Sequence, residues 1–321
     1  MPVPDRLPNY NELPEFEGLG ERHAWEVFGP NDDLGTINLL TPERILAASK
    51  LITKGKVINL SLPLNEPNPA MIPSRPVYTH HREVTRGGGD DSIDGFQMQG
   101  SSQWDGLRHV RFRDKGFYQG VTDDEVRGPG RIGMEHWAKK GIFGRAVLID
   151  MPRYAMDEGY DAYKRIALDG PMLERIAQKE NIEFQTGDIY LIRTGWAQKY
   201  WALDAAGRSA LAGSIKEAAD PTAHTCAGLD ATKATAEWIW NHHPAALCGD
   251  NPALEALPVL NREFQHRRII PMFGMPIGEF WDFEELAEDC AQDGVYAFFF
   301  AASPLYVPGA AGSPINAHVV K

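Results

Sequence analysis

The chain is short of cysteine, of basic charge and of long apolar runs, and each shortage removes a class of protein. Its cysteines, Cys226, Cys248 and Cys290, are odd in number and widely spaced. That argues against a disulfide framework or a thiolate zinc site and favours a reducing compartment. Lysine and arginine total 32 against 44 aspartate and glutamate, a net charge of -12, so a nucleic-acid partner is not expected. The longest strongly apolar run, residues 295–302, falls far short of the roughly 20 needed to cross a bilayer; it reads as a buried strand. The Pro-rich start, residues 2–14, lacks the basic n-region and apolar stretch of a signal peptide. It reads instead as an extended arm that wraps its own body or a neighbouring subunit. No internal repeat, Gly-rich phosphate loop or serine nucleophile elbow is found. The expectation is a cytoplasmic protein acting on a small molecule, with no membrane or nucleic-acid partner.

What is present suffices for a large core: 43% of the residues are apolar, and no compositional break marks a linker. The expected organisation is an arm over residues 1–20 and one domain over 21–321. Strand signals fall at 57–62, 95–103, 146–149, 188–193, 245–248 and 296–300. Helix signals lie between them: Pro42 after Thr41, Pro171 opening 172–179, Asp230 ahead of 231–242, and Asp282 with Glu285 opening a helix through Ala291. Strands alternating with helices predict an α/β fold with a mixed sheet.

The most informative stretch is residues 99–109, Gln-Gly-Ser-Ser-Gln-Trp-Asp-Gly-Leu-Arg-His. Gln99, Gln103, Asp105 and His109 all occupy odd positions, and period two puts them on one face of an extended strand. A helix would split them. Trp104 should face the opposite, apolar side. Gly100 and Gly106 suggest a bulge or a close backbone approach. A neutral imidazole at His109, with Asp105 four residues earlier, can take a proton from water near neutral pH. Glu279, set among Ile277, Phe280 and Trp281, should be buried, and a buried carboxylate needs a partner or a metal.

These residues resemble the cyclase family, which includes the bacterial kynurenine formamidases and isatin hydrolases. In that family the segment reads His-x-Gly-Thr-His-x-Asp-x-x-x-His. The two leading His and the Asp bind divalent metal, and the last His is the catalytic base. This chain keeps Asp105 and His109, has Ser102 in place of Thr, and carries Gln99 and Gln103 where the family has its two metal-binding His. Similar blocks are residues 31–40 (Asn-Asp-Asp-Leu-Gly-Thr-Ile-Asn-Leu-Leu), 187–196 (Gly-Asp-Ile-Tyr-Leu-Ile-Arg-Thr-Gly-Trp), 274–282 (Gly-Met-Pro-Ile-Gly-Glu-Phe-Trp-Asp), and 303–305 through 312–314. The resemblance implies a layered β/β/α swivelling fold. It also implies homo-oligomers, dimers or tetramers, with the site near a subunit interface. It further implies a metal centre completed by His266 and Glu279, so that the metal ligands would be Gln99, Gln103, Asp105, His266 and Glu279.

The two amides make that centre rich in oxygen. An amide oxygen is a poorer donor than imidazole to zinc and suits manganese or magnesium better; the expected cofactor is a divalent metal, manganese or zinc. The function expected is hydrolysis of an amide, or of a cyclic amide or ester, in a small aromatic or heterocyclic molecule. Asp105, His109 and Glu279 would be its catalytic groups. The alternatives are a metal-independent cyclase, dehydratase or isomerase using His109 and Asp105, and a non-catalytic binding protein on the same scaffold. Secondary features are His224 near a substrate pocket, Arg108 or Arg111 as holders of an anionic group, and residues 87–91 as a loop over the site. His80, His81, His242 and His243 read as surface residues, and Trp104, Trp196 and Phe112 as core.

Overall fold

The computed structural model describes residues 3–4, 6–156, 159–217, 224–260 and 264–321. Its centre is a nine-stranded mixed sheet. The spatial order is Gly312–Pro314, Gln103–Asp105, Ile277–Glu279, Ala246–Gly249, Ile189–Arg193, Ile142–Asp150, Ala297–Ala302, Ala317–Val320 and Val57–Asn59. The strands from Ile277–Glu279 to Ile142–Asp150 run parallel, and those outside them pair antiparallel. Parallel strands are covered on both faces and need unbroken apolar sequence. Ile189–Arg193 and Ala246–Gly249 are accordingly buried along their whole length. Ala297–Ala302 instead alternates buried and half-buried positions, because it lies outside that parallel block.

Helix starts follow local chemistry. Pro42–Ser49 begins at Pro42, with the Thr41 hydroxyl accepting from the Arg44 N–H. Gly170–Lys179 is capped by Asp169, which accepts from the Met172 N–H at 2.8 Å. Two expected starts move. Lys233–His242 is capped by Thr232, while the Asp230 carboxylate accepts from the Thr235 hydroxyl at 2.7 Å and braces the turn ahead of it. Glu284–Asp293 begins after Phe283 without a side-chain cap, although Asp282 Oδ1 accepts from the Glu284 N–H at 3.1 Å.

The N-terminal arm lies on its own chain. The Tyr10 N–H donates to Asn241 Oδ1 at 2.7 Å and Trp240 Nε1 donates to the Pro8 carbonyl at 2.8 Å. His243, expected at the surface, is half-buried beneath the arm with Nε2 3.1 Å from that same carbonyl. His242 is half-buried too, against Trp238 and Glu174. Residues 87–91 are the turn and second strand of an exposed hairpin, Thr79–Thr85 with Gly88–Asp94, in which His80 and His81 pair with Asp91 and Asp94. The three cysteines are buried and free; burial pushes the Cys226 and Cys290 thiols up to about 12. Among the described residues no helix is long and apolar enough to cross a membrane.

Where helix Gly170–Lys179 ends, Glu180 turns into the protein and accepts from the Asp150 N–H at 3.2 Å. Burial, with the Asp150 charge beside it, raises its pKa from 4.5 to about 8. A folded-state pKa above the unfolded one contributes stability that is complete below the unfolded value and is lost as pH rises through the folded value. Glu180→Gln keeps an acceptor for Asp150 and cannot ionise. Its stability relative to the native protein should therefore rise between about pH 5 and pH 8, by on the order of 2 kcal/mol. Denaturant midpoints at the two pH values measure this; an unchanged difference would mean that Glu180 ionises freely in the fold.

Candidate active site

The site is built around strand Gln103–Asp105, held antiparallel between Ile277–Glu279 and Gly312–Pro314. The register places Gln103 directly opposite Glu279. Opposed residues in an antiparallel pair project to the same face, so Gln103, Asp105 and Glu279 share one side. Trp104 takes the other, fully buried and edge-on to Trp281 with ring centroids 4.9 Å apart.

The expected strand over 95–103 is not there: only Gln103–Asp105 is extended, and Gln99 and His109 lie on the turns before and after it. Side chains that bond the backbone compete with the ladder. Here the Ser101 hydroxyl donates to the Pro63 carbonyl at 3.1 Å, and the Ser102 hydroxyl bridges the Phe280 carbonyl and the Leu62 N–H. The His109 N–H closes a turn on the Gly106 carbonyl at 2.9 Å. Gly106 is a close approach, as a Cβ there would stand 2.8 Å from the Ala311 carbonyl oxygen; at Gly100 a Cβ would meet Gln97 of its own turn first, at 3.2 Å.

The four polar groups nonetheless converge. The Gln99 amide nitrogen donates to Asp105 Oδ1. That of Gln103 lies 3.2 Å from the same oxygen and 2.7 Å from Glu279 Oε2. His109 Nε2 stands 3.5 Å from Asp105 Oδ2. From the far side, His266 Nε2 lies 2.9 Å from Glu279 Oε1 and 3.7 Å from Asp105 Oδ2. One donor atom each from buried Asp105, His266 and Glu279 falls within 4.8 Å of the others. Glu279 thus pairs with His266 and Gln103.

Glu255 completes the cluster and was not singled out from the sequence. Its Oε1 receives both the backbone N–H and Nδ1 of His266, each at 2.7 Å, fixing the ring so that Nε2 faces the acids. A glutamate between Leu254 and Ala256 carries the same burial signal that drew attention to Glu279.

The electrostatics divide the groups. Desolvation opposes charge on Asp105, but His109, His266 and the Gln99 amide outweigh it and hold the carboxyl below the usual carboxylate range. Desolvation and the Asp105 charge push Glu279 up. Burial works against a proton on His266, yet Glu255, Asp105 and Glu279 together raise its pKa well above that of free imidazole. His109 goes the other way. Desolvation leads, and the charges of His266 and Arg75 add to it against Asp105, so this imidazole is held neutral at neutral pH.

His109, His266 and Glu279 open onto a cavity of about 180 Å³, which His224 also lines. Trp196 stands behind His224, with Nε1 3.4 Å from its Nε2, and Phe112 is buried against Phe16; both are core, as expected. The aromatic wall is Phe264, its ring tilted against that of His266 with centroids 4.7 Å apart. Neither arginine expected to serve an anion does so. Arg108 is spent on the carbonyls of Arg131, Val126, Gly128 and Gly309, and Arg111 pairs with exposed Asp123. The arginine on the cavity is Arg75, its Nη1 2.9 Å from the Gln99 carbonyl.

An imidazole whose burial favours its neutral form thus stands beside a buried acid and imidazole cluster, at the edge of an apolar cavity on a mixed α/β sheet. The chain belongs to the cyclase family, whose model, described as "Putative cyclase", matches residues 58–256. A crystal structure described as a novel cyclase is 34% identical, with a TM-score of 0.80, over 93% of this chain and 99% of that one. Isatin hydrolase A from Ralstonia solanacearum shares the fold at 17% identity and a TM-score of 0.58, over 87% of this chain and 98% of that one. An isatin hydrolase bound to the product analogue thioisatinate aligns at 14% identity and a TM-score of 0.59, with the same coverage of both chains. No curated protein matches the chain.

Gln99 reaches Asp105 across a residue without a side chain: a Cβ on Gly312 would stand 2.5 Å from Gln99 Cγ and 2.7 Å from the Trp104 carbonyl oxygen. Gly312→Ala should displace Gln99 and destabilise the protein by ~1–3 kcal/mol, the usual range for overpacking. Chemical denaturation reads the loss, and a variant as stable as the native protein would show that this end of the sheet yields without strain.

Proposed function

We propose that the protein is a hydrolase that opens an amide, or a cyclic amide or ester, in a small aromatic or heterocyclic molecule, with His109 as the group that moves the proton. The observation that carries this reading is the pairing of a neutral His109 with buried, ionised Asp105 on the wall of an apolar cavity. A general base must be unprotonated at working pH and within reach of its proton. His109 meets the first condition through burial and the charges around it. Asp105, its Oδ2 3.5 Å from His109 Nε2, supplies a negative charge that stabilises the ring once protonated. Return of that proton to the departing nitrogen or oxygen completes the cycle.

The residues present fit a divalent cation. Three buried oxygens in the cluster, Gln103 Oε1, Asp105 Oδ2 and Glu255 Oε2, lack a hydrogen-bond partner, and donor atoms of Asp105, His266 and Glu279 already lie together. Gln99 and Gln103 would join them, giving one imidazole and otherwise oxygen donors, a set that favours manganese over zinc. Such a cation, when bound, supplies Lewis acidity and a lowered pKa for nearby water. His266 must give up its proton to serve as a ligand, so affinity should rise with pH.

A second reading has its own support. Both glutamine amides point nitrogen at the carboxylates, and His266 bridges Glu279 and Asp105, so the network is largely satisfied by the chain alone. A metal-independent cyclisation, dehydration or isomerisation by His109 and Asp105 would follow. Product mass separates the readings, since hydrolysis adds one water.

His109→Ala should lower turnover of aromatic amides, lactones or imides by ~10²–10⁴-fold, the usual worth of acid–base catalysis, with an unchanged melting profile. In the native enzyme kcat/KM should rise along an acid limb centred below pH 6.5 and level off above it, because only unprotonated His109 is active and its pKa is lowered. Near-native turnover in the variant would remove His109 from the mechanism. Equilibrium dialysis followed by elemental analysis should find one equivalent of divalent metal, with activity lost in chelator and restored by manganese. Full activity in chelator with no bound metal would favour the second reading.

A further inference from the structure

We infer that the substrate carries a carboxylate and that Arg75 holds it. The inference names the substrate class of the site described above and rests on taking this cavity as the substrate's seat. Arg75 is half-buried on the cavity wall. Among the described residues its guanidinium makes one hydrogen bond, from Nη1 to the Gln99 carbonyl at 2.9 Å, and no ion pair. The acids of the cluster are already engaged: Asp105 by Gln99 and His109, Glu279 by Gln103 and His266. The Arg75 charge is close enough to be felt at His109. In a chain of net charge -12, a guanidinium that faces a cavity with most of its donors open is placed for an anion. Its planar fork matches a carboxylate in two-pronged fashion.

The rest of the wall specifies what the carboxylate is attached to. Met71, Ile72, Val110, Leu257 and Phe264 give it an apolar lining. A cavity of roughly 150 Å³ takes a benzene ring, so about 180 Å³ suits one ring with a small polar substituent. A molecule anchored at Arg75 shares the wall with His109, which places its reactive bond beside the base. Phe264 offers a ring face that extends from His266.

The test uses two probes of nearly the same shape, charged benzoate and neutral benzamide, titrated against the full-length protein by calorimetry or ligand-observed NMR. Neither needs turnover, so the outcome is independent of whether hydrolysis is the reaction. The native protein should bind benzoate at least ~10-fold more tightly than benzamide, as expected of a charge-assisted pair. Arg75→Gln should erase that preference and leave benzamide binding unchanged, which also shows that the cavity is intact. Arg75→Lys, which keeps the charge but not the fork, should retain part of it. The inference is overturned if the native protein does not prefer benzoate, or binds neither probe at millimolar concentration. It is equally overturned if Arg75→Gln keeps the preference, since the carboxylate then sits elsewhere, for instance on a cation at Asp105. Should Arg75→Gln fail to fold, Arg75→Lys decides: a preference equal to the native one would show that the fork makes no contact.

Discussion

One register holds the site together: Gln103 lies opposite Glu279 across a three-residue antiparallel pair, with Gly312–Pro314 closing the other edge. Strand side chains alternate with period two, so this single pairing decides which residues look into the cavity. A slip by one residue would bring Trp104 into the cluster and send both Asp105 and Gln103 toward Trp281 and Phe300. The Trp104–Trp281 contact on the opposite face makes that slip costly, because two buried indoles would lose their packing. Apolar packing beneath the strand therefore fixes the polar geometry above it. The Ser102 hydroxyl, tied to Phe280 and Leu62, pins the strand at the end where the register begins.

That register gathers Asp105 and Glu279 into a space that Glu255 also enters, largely shut off from water. Acids so close cannot all ionise freely, and the cluster resolves the conflict unevenly. Asp105 keeps its charge through His109, His266 and Gln99, while Glu279 is pushed toward the neutral form. His266, pinned by Glu255, carries the compensating positive charge. Two imidazoles 6.4 Å apart thus sit at opposite ends of the titration range. The protonated one is surrounded by acids; the neutral one lies nearer the cavity mouth with Arg75 as a neighbour. The difference in environment, rather than in residue type, separates an imidazole that favours its proton from one that does not.

How much of this could be read from the sequence depended on distance along the chain. The helix starts at Pro42, after Thr41, and at Pro171 were legible because a proline in the first turn is a local signal. Asp230 was misread as a cap because Thr232, two residues on, offers the same chemistry nearer the helix. The convergence of Gln99, Gln103, Asp105 and His109 was legible, but the extended strand invoked for it was not correct. Turns closed by Ser101, Ser102 and Gly106 bring the outer two groups inward by a route that parity does not describe. His266 and Glu279 were reachable through resemblance to the family. Arg75, Phe264 and Glu255 lie on segments without a periodic signal, and each enters the site through packing between distant parts of the chain. Arg108 shows the converse: an arginine within the motif whose Nε and Nη1 are turned onto four carbonyls.

The two glutamines change what kind of site this can be. An imidazole offers a nitrogen donor and a titratable proton; an amide offers neither, and its charge is fixed at zero across the pH range. With amides at 99 and 103, every change of charge in the cluster must pass through its carboxyl groups and imidazoles. The amides also have two faces. Their nitrogens satisfy the carboxylates in the arrangement seen here, whereas turning the oxygens inward would supply donors for a cation and free the same carboxylates to do likewise. Gln103 Oε1, buried and without a partner, is the atom for which that turn removes an unsatisfied group. A pair of side-chain rotations therefore separates a self-paired acid–base site from an oxygen-rich metal site, with the backbone and the position of His109 common to both.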